Sequence, residues 1–352
     1  MRKRVIGVAV VSAVMLTGCG AGGGEGNKDK VSVHYASVGG LTDAPIYLAD
    51  ALGYFEDEGL DIRITRMPNA AALATAIATG NLDVSAVSTA PALFNSIAEG
   101  VDLKLVADKQ SNQGEKGFGL KLIAREKYVK EKETSGDGKA LRGARIAVSA
   151  RNTASDKILV DLLDHWGLAE KDITVTELPY PDMAAALQGG RVDAAIALEP
   201  FLTRIQSADP SIKEFSDLGE VVPNGAPIVP LVYAEKFLAK QEPGDAFMRA
   251  YLRGTGVMNQ VFAGEHPDTD ELVKVIAERA DLTEDIVRTA QPPGNNPCAP
   301  LDVAWIKEAQ DFFVKRGVVK EPVGVEGITD NGYGERARKT LAAKGQLDFC
   351  EG

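Results

Sequence analysis

Three clusters in this chain have the residue types to hold an anion. They are Gly39-Gly40-Leu41-Thr42-Asp43, Ser88-Thr89-Ala90-Pro91 and Ala150-Arg151-Asn152-Thr153. Each closes a β-rich run and opens a helical one, so unpaired N–H groups and the helix dipole favour negative charge there. The paired glycines permit close backbone approach. The guanidinium fork of Arg151 matches two oxygens of a carboxylate, sulfonate or phosphate. Leu41 would cover the organic part of such a ligand. Asp108-Lys109 and Glu199-Pro200 close two further runs. Lys109 would help neutralise the bound charge, and Glu199 would either hold Arg151 or accept a ligand donor. Plainer roles compete: Asp43, Ser88, Thr89 and Thr153 are all good helix N-caps, and Gly39-Gly40 suits a tight turn.

Bond-breaking chemistry has no comparable signature. The sequence lacks H-E-x-x-H, G-x-S-x-G and P-loop motifs. His34 falls inside a strand pattern and reads as a core residue, while His165 and His266 read as surface positions. The three cysteines, 19, 298 and 350, form no C-x-x-C pair, so neither a zinc nor an iron–sulfur centre is expected. The expectation is a binder without enzyme activity, metal or cofactor.

These clusters need strands to carry them. Residues 31–38 are β-rich, and 44–58 carry Ile46, Ala49, Leu52 and Phe55 near one helical face with Pro45 in the first turn. Residues 60–65 alternate as a strand, 70–79 form an Ala-rich helix, 83–88 a strand, 92–99 a helix and 103–107 a strand. The order recurs as strand 145–149, helix 154–166, strand 173–178, helix 183–188 and strand 193–198. Such alternation implies mainly parallel sheets flanked by helices, with ligands beyond the carboxyl ends of the strands. The motif A-[IL]-x-x-G-x-[LV]-D appears at 76–83 and again at 186–193, which implies two similar halves. Chain crossings are expected at 110–124 and near 222–233, where Pro223, Asn224, Gly225, Pro227 and Pro230 interrupt regular structure. The later helical segments are expected to pack on the first half. Lobe 1 would then comprise 31–110 plus 231–352, and lobe 2 residues 111–230.

The N-terminus reads as an address. Arg2, Lys3 and Arg4 precede eleven apolar residues, 5–15, too few for a membrane span of roughly 20. The run ends in Leu16-Thr17-Gly18-Cys19, which resembles the lipobox of bacterial lipoproteins, in which the Cys carries diacylglycerol. On that resemblance residues 1–18 are a signal peptide, and Cys19 is the lipid site. Residues 19–30, Gly-rich after the Cys, form a flexible tether. Cys298 and Cys350 are then the remaining thiols of an exported chain, and a disulfide between them is expected. The 352 residues carry 39 basic and 50 acidic side chains. That acidic balance excludes a nucleic-acid partner and attraction to anionic lipid.

Taken together, the lipobox, APIYLADALGYFEDEGLDIRI (44–64), GNLDVSAVSTAPAL (80–93) and GGRVDAAIALEPF (189–201) resemble the sulfonate/nitrate/taurine-type substrate-binding proteins of ABC importers. Their superfamily includes binders of thiamine-pyrimidine precursors. The resemblance spans about residues 31–320. It implies a two-lobed type II periplasmic-binding-protein fold, α/β in each lobe and hinged by two crossings. It also implies a monomer with a small-molecule ligand, a permease and its ATPase as partners, and a lipid-anchored place on the outer face of the cytoplasmic membrane or in the periplasm. The family's binding positions map onto Gly40, Leu41 and Thr42, Ser88 and Thr89, the loop Arg151–Asn152–Thr153, and Glu199. A ligand sensor, or an enzyme related to pyrimidine-precursor synthesis on the same fold, is the alternative.

Overall fold

The structure, a computed structural model, describes residues 30–67, 70–114, 117–296, 298–347 and Cys350. Cys19, the signal segment and the tether lie outside the described residues. Ten strands are present among the described residues: β1 (Val31–Ser37), β2 (Leu60–Arg66), β3 (Val84–Ala86), β4 (Leu103–Ser111), β5 (Leu120–Arg125), β6 (Arg145–Val148), β7 (Thr174–Glu177), β8 (Ala194–Leu198), β9 (Ile212–Ser216) and β10 (Pro227–Ala234). They form two five-stranded sheets, ordered β2-β1-β3-β10-β4 and β7-β6-β8-β5-β9. In each sheet the first three strands are parallel, and the fourth runs antiparallel to both neighbours. The chain is thus a two-lobed α/β protein with the same topology in both lobes. No helix among the described residues is long and apolar enough to cross a membrane.

The duplicated motif has a physical role. Asp83 Oδ2 accepts the His34 N–H of β1 at 2.8 Å, and Asp193 Oδ2 accepts the Arg145 N–H of β6 at 3.0 Å. In return the Asp83 N–H reaches the His34 carbonyl and the Asp193 N–H reaches that of Arg145. Each carboxylate therefore clamps a helix–strand junction onto the first strand of its own sheet, which fixes register at equivalent points.

Strand directions place the two lobes. β4 runs parallel to β3, so its last residue, Ser111, lies at the carboxyl edge of the first sheet. β5 opposes β8, so it starts at the carboxyl edge of the second. The return from β9 to β10 again joins the two carboxyl edges. Both crossings therefore make these edges face each other, and the space between them is the cleft.

Four features depart from the sequence expectations. The helix expected over 44–58 is two helices, Ala44–Ala51 and Tyr54–Asp57, because Gly53 takes a left-handed φ of 73°. β4 runs four residues past Ala107, carrying Asp108, Lys109, Gln110 and Ser111 into buried positions. The proline-rich stretch near 227 is not a break but β10, paired on both sides; register shifts around Val229 and Pro230 absorb the missing donors. Residues 227–230 consequently belong to the first sheet rather than to the second lobe.

The fourth departure is a third crossing, by residues 291–296. Gln291 N donates to Glu199 Oε1 at 2.9 Å, and Asn296 N donates to Asp108 Oδ2 at 2.6 Å. Glycine is required where this strap passes, since a Cβ on Gly117 would lie 2.6 Å from the Pro292 carbonyl oxygen. Beyond the strap, helix Val303–Lys315 does not pack on the first lobe alone. Its Phe313 joins the first lobe's core while its Trp305 is buried among Ile158, Leu162 and neighbours of the second.

Candidate functional site

At the carboxyl edge of the first sheet, two polar side chains, Arg66 and Ser88, have no acidic partner among the described residues. Beyond β1, Gly39 and Gly40 take φ of 84° and 103°, turning the chain into a short 3-10 turn and then helix Ala44–Ala51. A side chain on Gly39 would meet Arg66 Nε at 2.8 Å, so the glycine lets the Arg66 side chain lie against the turn. Arg66 pairs with Ser37 across β1 and β2. Its Nε donates to the Val38 carbonyl at 3.1 Å, and its exposed guanidinium has no acidic partner among the described residues. Ser88, one turn before helix Pro91–Ala98, likewise keeps its hydroxyl free of any protein partner among the described residues. Arg66 was missed in the sequence. The strand-end rule covers it, but reading the second strand as 60–65 stops one residue short.

Directly beneath this surface lies a buried ion pair. Asp43, with no exposed surface, accepts from the Tyr35 hydroxyl at 2.5 Å and from Ser37 Oγ. Lys109 Nζ sits 2.8 Å from Asp43 Oδ1 and donates to Thr42 Oγ1 at 3.0 Å. Burial, reinforced by the Asp43 charge, pushes the Tyr35 hydroxyl well above its usual range. Asp43 and Lys109 thus neutralise each other and position Thr42, instead of meeting a ligand as the sequence suggested. Leu41 is core, packed among Met258, Ile276 and Val287. Thr89 is also turned inward, with its N–H and its Oγ1 both directed at the Ile228 carbonyl.

The second lobe presents the opposite case. Arg151 and Asn152 stand at the start of helix Ala154–His165 as expected, and Thr153 caps it by accepting the Asp156 N–H at 3.3 Å. Yet the protein itself supplies the anions. Glu177 accepts the Arg151 N–H, and Asp156 accepts the Asn152 N–H, both at 2.9 Å. The Arg151 guanidinium lies 3.0 Å from Asp156 Oδ1 and 2.5 Å from Glu170 Oε2. Arg316, at the end of helix Val303–Lys315, reaches the same two carboxylates, and Lys157 pairs with Glu308 of that helix at 2.8 Å. The charges of this edge therefore neutralise one another and tie the lobe to helix Val303–Lys315. The geometry leaves Arg151 no free fork for a ligand in this arrangement.

Glu199 does not meet Arg151. It is buried and accepts from Thr203 N, Thr203 Oγ1 and Gln291 N. Burial holds its carboxyl above the usual range despite those donors. Asp108, at the other end of the strap, is pushed up to about 7 by burial, with Ser111 and Asn296 as donors to Oδ2 and no hydrogen-bond partner on Oδ1 among the described residues. A carboxyl raised in this way binds its proton more tightly folded than unfolded. Its contribution to stability is therefore lost as pH rises from the ordinary carboxylate range to about 7. Cys298, just past the strap, forms a disulfide with Cys350, with Cα atoms 5.5 Å apart. No group of three or more His, Cys, Asp or Glu that could hold a metal occurs among the described residues.

The family model described as NMT1/THI5 like matches residues 42–268. A Bacillus subtilis (strain 168) protein named for binding aliphatic sulfonates is 25% identical over 353 residues, covering 98% of this chain and 99% of that one. The taurine-binding periplasmic protein of Escherichia coli (strain K12) is 23% identical over 201 residues, 56% of this chain and 58% of that protein. Among solved structures, the periplasmic aliphatic sulphonate binding protein SsuA from Escherichia coli superposes with a TM-score of 0.66 at 18% identity, covering 85% of this chain and 97% of that one.

Proposed function

Since the chain belongs to the NMT1/THI5-like family, we propose that it is the extracytoplasmic binding component of an ABC importer, and that it captures a small organic anion without transforming it. The observation that carries this is the asymmetry of the cleft. One edge is self-neutralised by Asp156, Glu170 and Glu177. The other offers an unpaired Arg66, the free Ser88 hydroxyl and the glycine-led turn at 39–42. A sulfonate or carboxylate supplies the negative oxygens such an edge lacks. The names of the two similar proteins, for aliphatic sulfonates and taurine, favour the sulfonate.

Delivery follows from differential binding. A ligand held on the first lobe gains contacts when the second approaches, and only that difference shifts the population toward the closed form. The closed form would dock on a membrane permease driven by a cytoplasmic ATPase. Cys19 would carry the lipid that keeps the protein at the membrane, where two acyl chains suffice for stable anchoring. Palmitate labelling should mark the wild-type chain and disappear in Cys19→Ser; retained label would reject that anchor.

Both sheets and all the core clusters are built from residue 31 onward, so a chain starting at residue 20 suits binding studies. Calorimetric titration with alkanesulfonates is expected to give saturable binding. Arg66→Ala should weaken it more than tenfold, about 1.4 kcal/mol or above. Equal affinity in a folded Arg66→Ala protein would remove Arg66 from the site.

A further inference from the structure

Behind Ser88, inside the first lobe, is a cavity of about 180 Å³. Its walls come from β3, β4 and two helices, and include Leu73, Ile77, Ala86, Leu93 and Leu103. Two hydroxyls are among its lining. That of Ser96 is turned back to the Ala92 carbonyl at 2.6 Å, and that of Ser88 has no protein partner among the described residues. Among the described residues no charged side chain lines the space. At the rim stands Val38, 47% exposed and the large apolar residue most exposed in the described part of the molecule. The Val38 carbonyl is the group that holds Arg66 Nε. The unpaired cation and the apolar cavity are therefore neighbours on one strand end.

We propose that this cavity is a subsite for the apolar group of the ligand, so that the cargo is an amphiphilic organic anion with a hydrocarbon part of about benzene size. The inference rests on the anion-binding reading above and specifies its substrate class. Size supports it, since an apolar cavity of about 150 Å³ lined by aliphatic and aromatic side chains stays dry and takes up benzene. Charge supports it as well: Arg66 and the turn at 39–42 would hold the head while the tail enters past Val38 and Ser88. Taurine-like ligands, with an ammonium on the distal carbon, would have to bury that charge among leucines, which is costly without a partner.

Titration calorimetry of the chain from residue 20 with methanesulfonate, butanesulfonate, hexanesulfonate and benzenesulfonate tests the proposal. Affinity is expected to rise about threefold to fourfold per buried methylene. Hexanesulfonate should then exceed methanesulfonate by well over tenfold, with benzenesulfonate in the upper range. Ser96→Phe, which fills the cavity from its helical wall, should abolish the rise and leave methanesulfonate binding unchanged; Ala92→Leu at the rim is the second variant, should Phe at 96 impair folding. Equal affinity for all four ligands, or a rise untouched by a folded cavity variant, would overturn the subsite and leave the anion-binding reading intact. If no sulfonate of any length binds, that reading fails and takes the subsite with it.

Discussion

Replacing Lys109 with methionine is expected to destabilise the folded chain by about 3–5 kcal/mol, the usual cost of leaving one member of a buried ion pair unpartnered. Lys109 and Asp43 are 2% and 0% exposed, with Nζ and Oδ1 2.8 Å apart. Methionine keeps the length of the side chain and removes the charge, so the loss falls on the stranded Asp43 carboxylate. The donors Tyr35 and Ser37 remain, but they do not offset a full negative charge in this surrounding. An unpaired buried carboxylate binds its proton more tightly folded than unfolded. The deficit should therefore be largest at neutral pH and shrink as pH falls. Urea titrations at two pH values check both statements. The double variant Asp43→Asn/Lys109→Met should recover more than half of the loss, because the stranded charge is gone. A Lys109→Met midpoint within error of wild type would show that the pair does not hold the turn at 39–43. The same variant should weaken ligand binding, since Lys109 also donates to Thr42.

Loss of the Cys298–Cys350 bridge should cost nearly as much. The bridge closes a loop between cysteines 52 residues apart, which constrains the unfolded chain by ~4 kcal/mol in the chain-entropy model. Its structural effect is local: it ties the end of the chain, beyond helix Gly332–Ala343, to the segment that follows the strap. Cys350→Ser should lower the urea midpoint accordingly, and reductant should do the same to wild type while leaving the variant unaffected. Titration of the non-reduced, denatured chain from residue 20 should find no free thiol. Two free thiols, or a midpoint indifferent to reductant, would contradict the bridge.

The elements that read clearly from sequence are those whose side-chain period matches their surroundings. β1, β2 and the helix Ala154–His165 are of this kind, and the repeat ending in Asp83 and Asp193 marked equivalent junctions. The carboxyl-edge rule picked residues that the structure does place at or just past strand ends, such as Gly39, Ser88 and Arg151. Sequence failed where burial and residue type disagree. Asp108 and Lys109 looked like the end of a strand because charged residues rarely continue one into a core; here Lys109 is compensated by Asp43, and Asp108 by Ser111 and the strap. β10 looked broken because Pro227 and Pro230 lack donors, which irregular pairing tolerates. β9 was not separated from its surroundings, its five residues being too short to show a period.

At the site, the sequence gives residue types at strand ends but not their commitments. Arg151 has the right chemistry in the right place. Whether its fork is free depends on Glu170, nineteen residues on, and on Arg316 from a distant helix competing for the same carboxylates. Glu199 is decided by Gln291, 92 residues away. Arg66 stands out only when the ion pairs of all other candidates have been assigned.

On the proposed function, the carboxyl edge of the first lobe captures an organic anion reversibly. The most direct measurement is calorimetric titration of the chain from residue 20 with hexanesulfonate, carried through to chemical recovery of the ligand. Saturable binding of one ligand per chain is expected, with a more than tenfold loss in Arg66→Ala and the ligand recovered unaltered. A folded protein that releases no heat with any organic sulfonate or carboxylate, or that returns the ligand chemically changed, would contradict it.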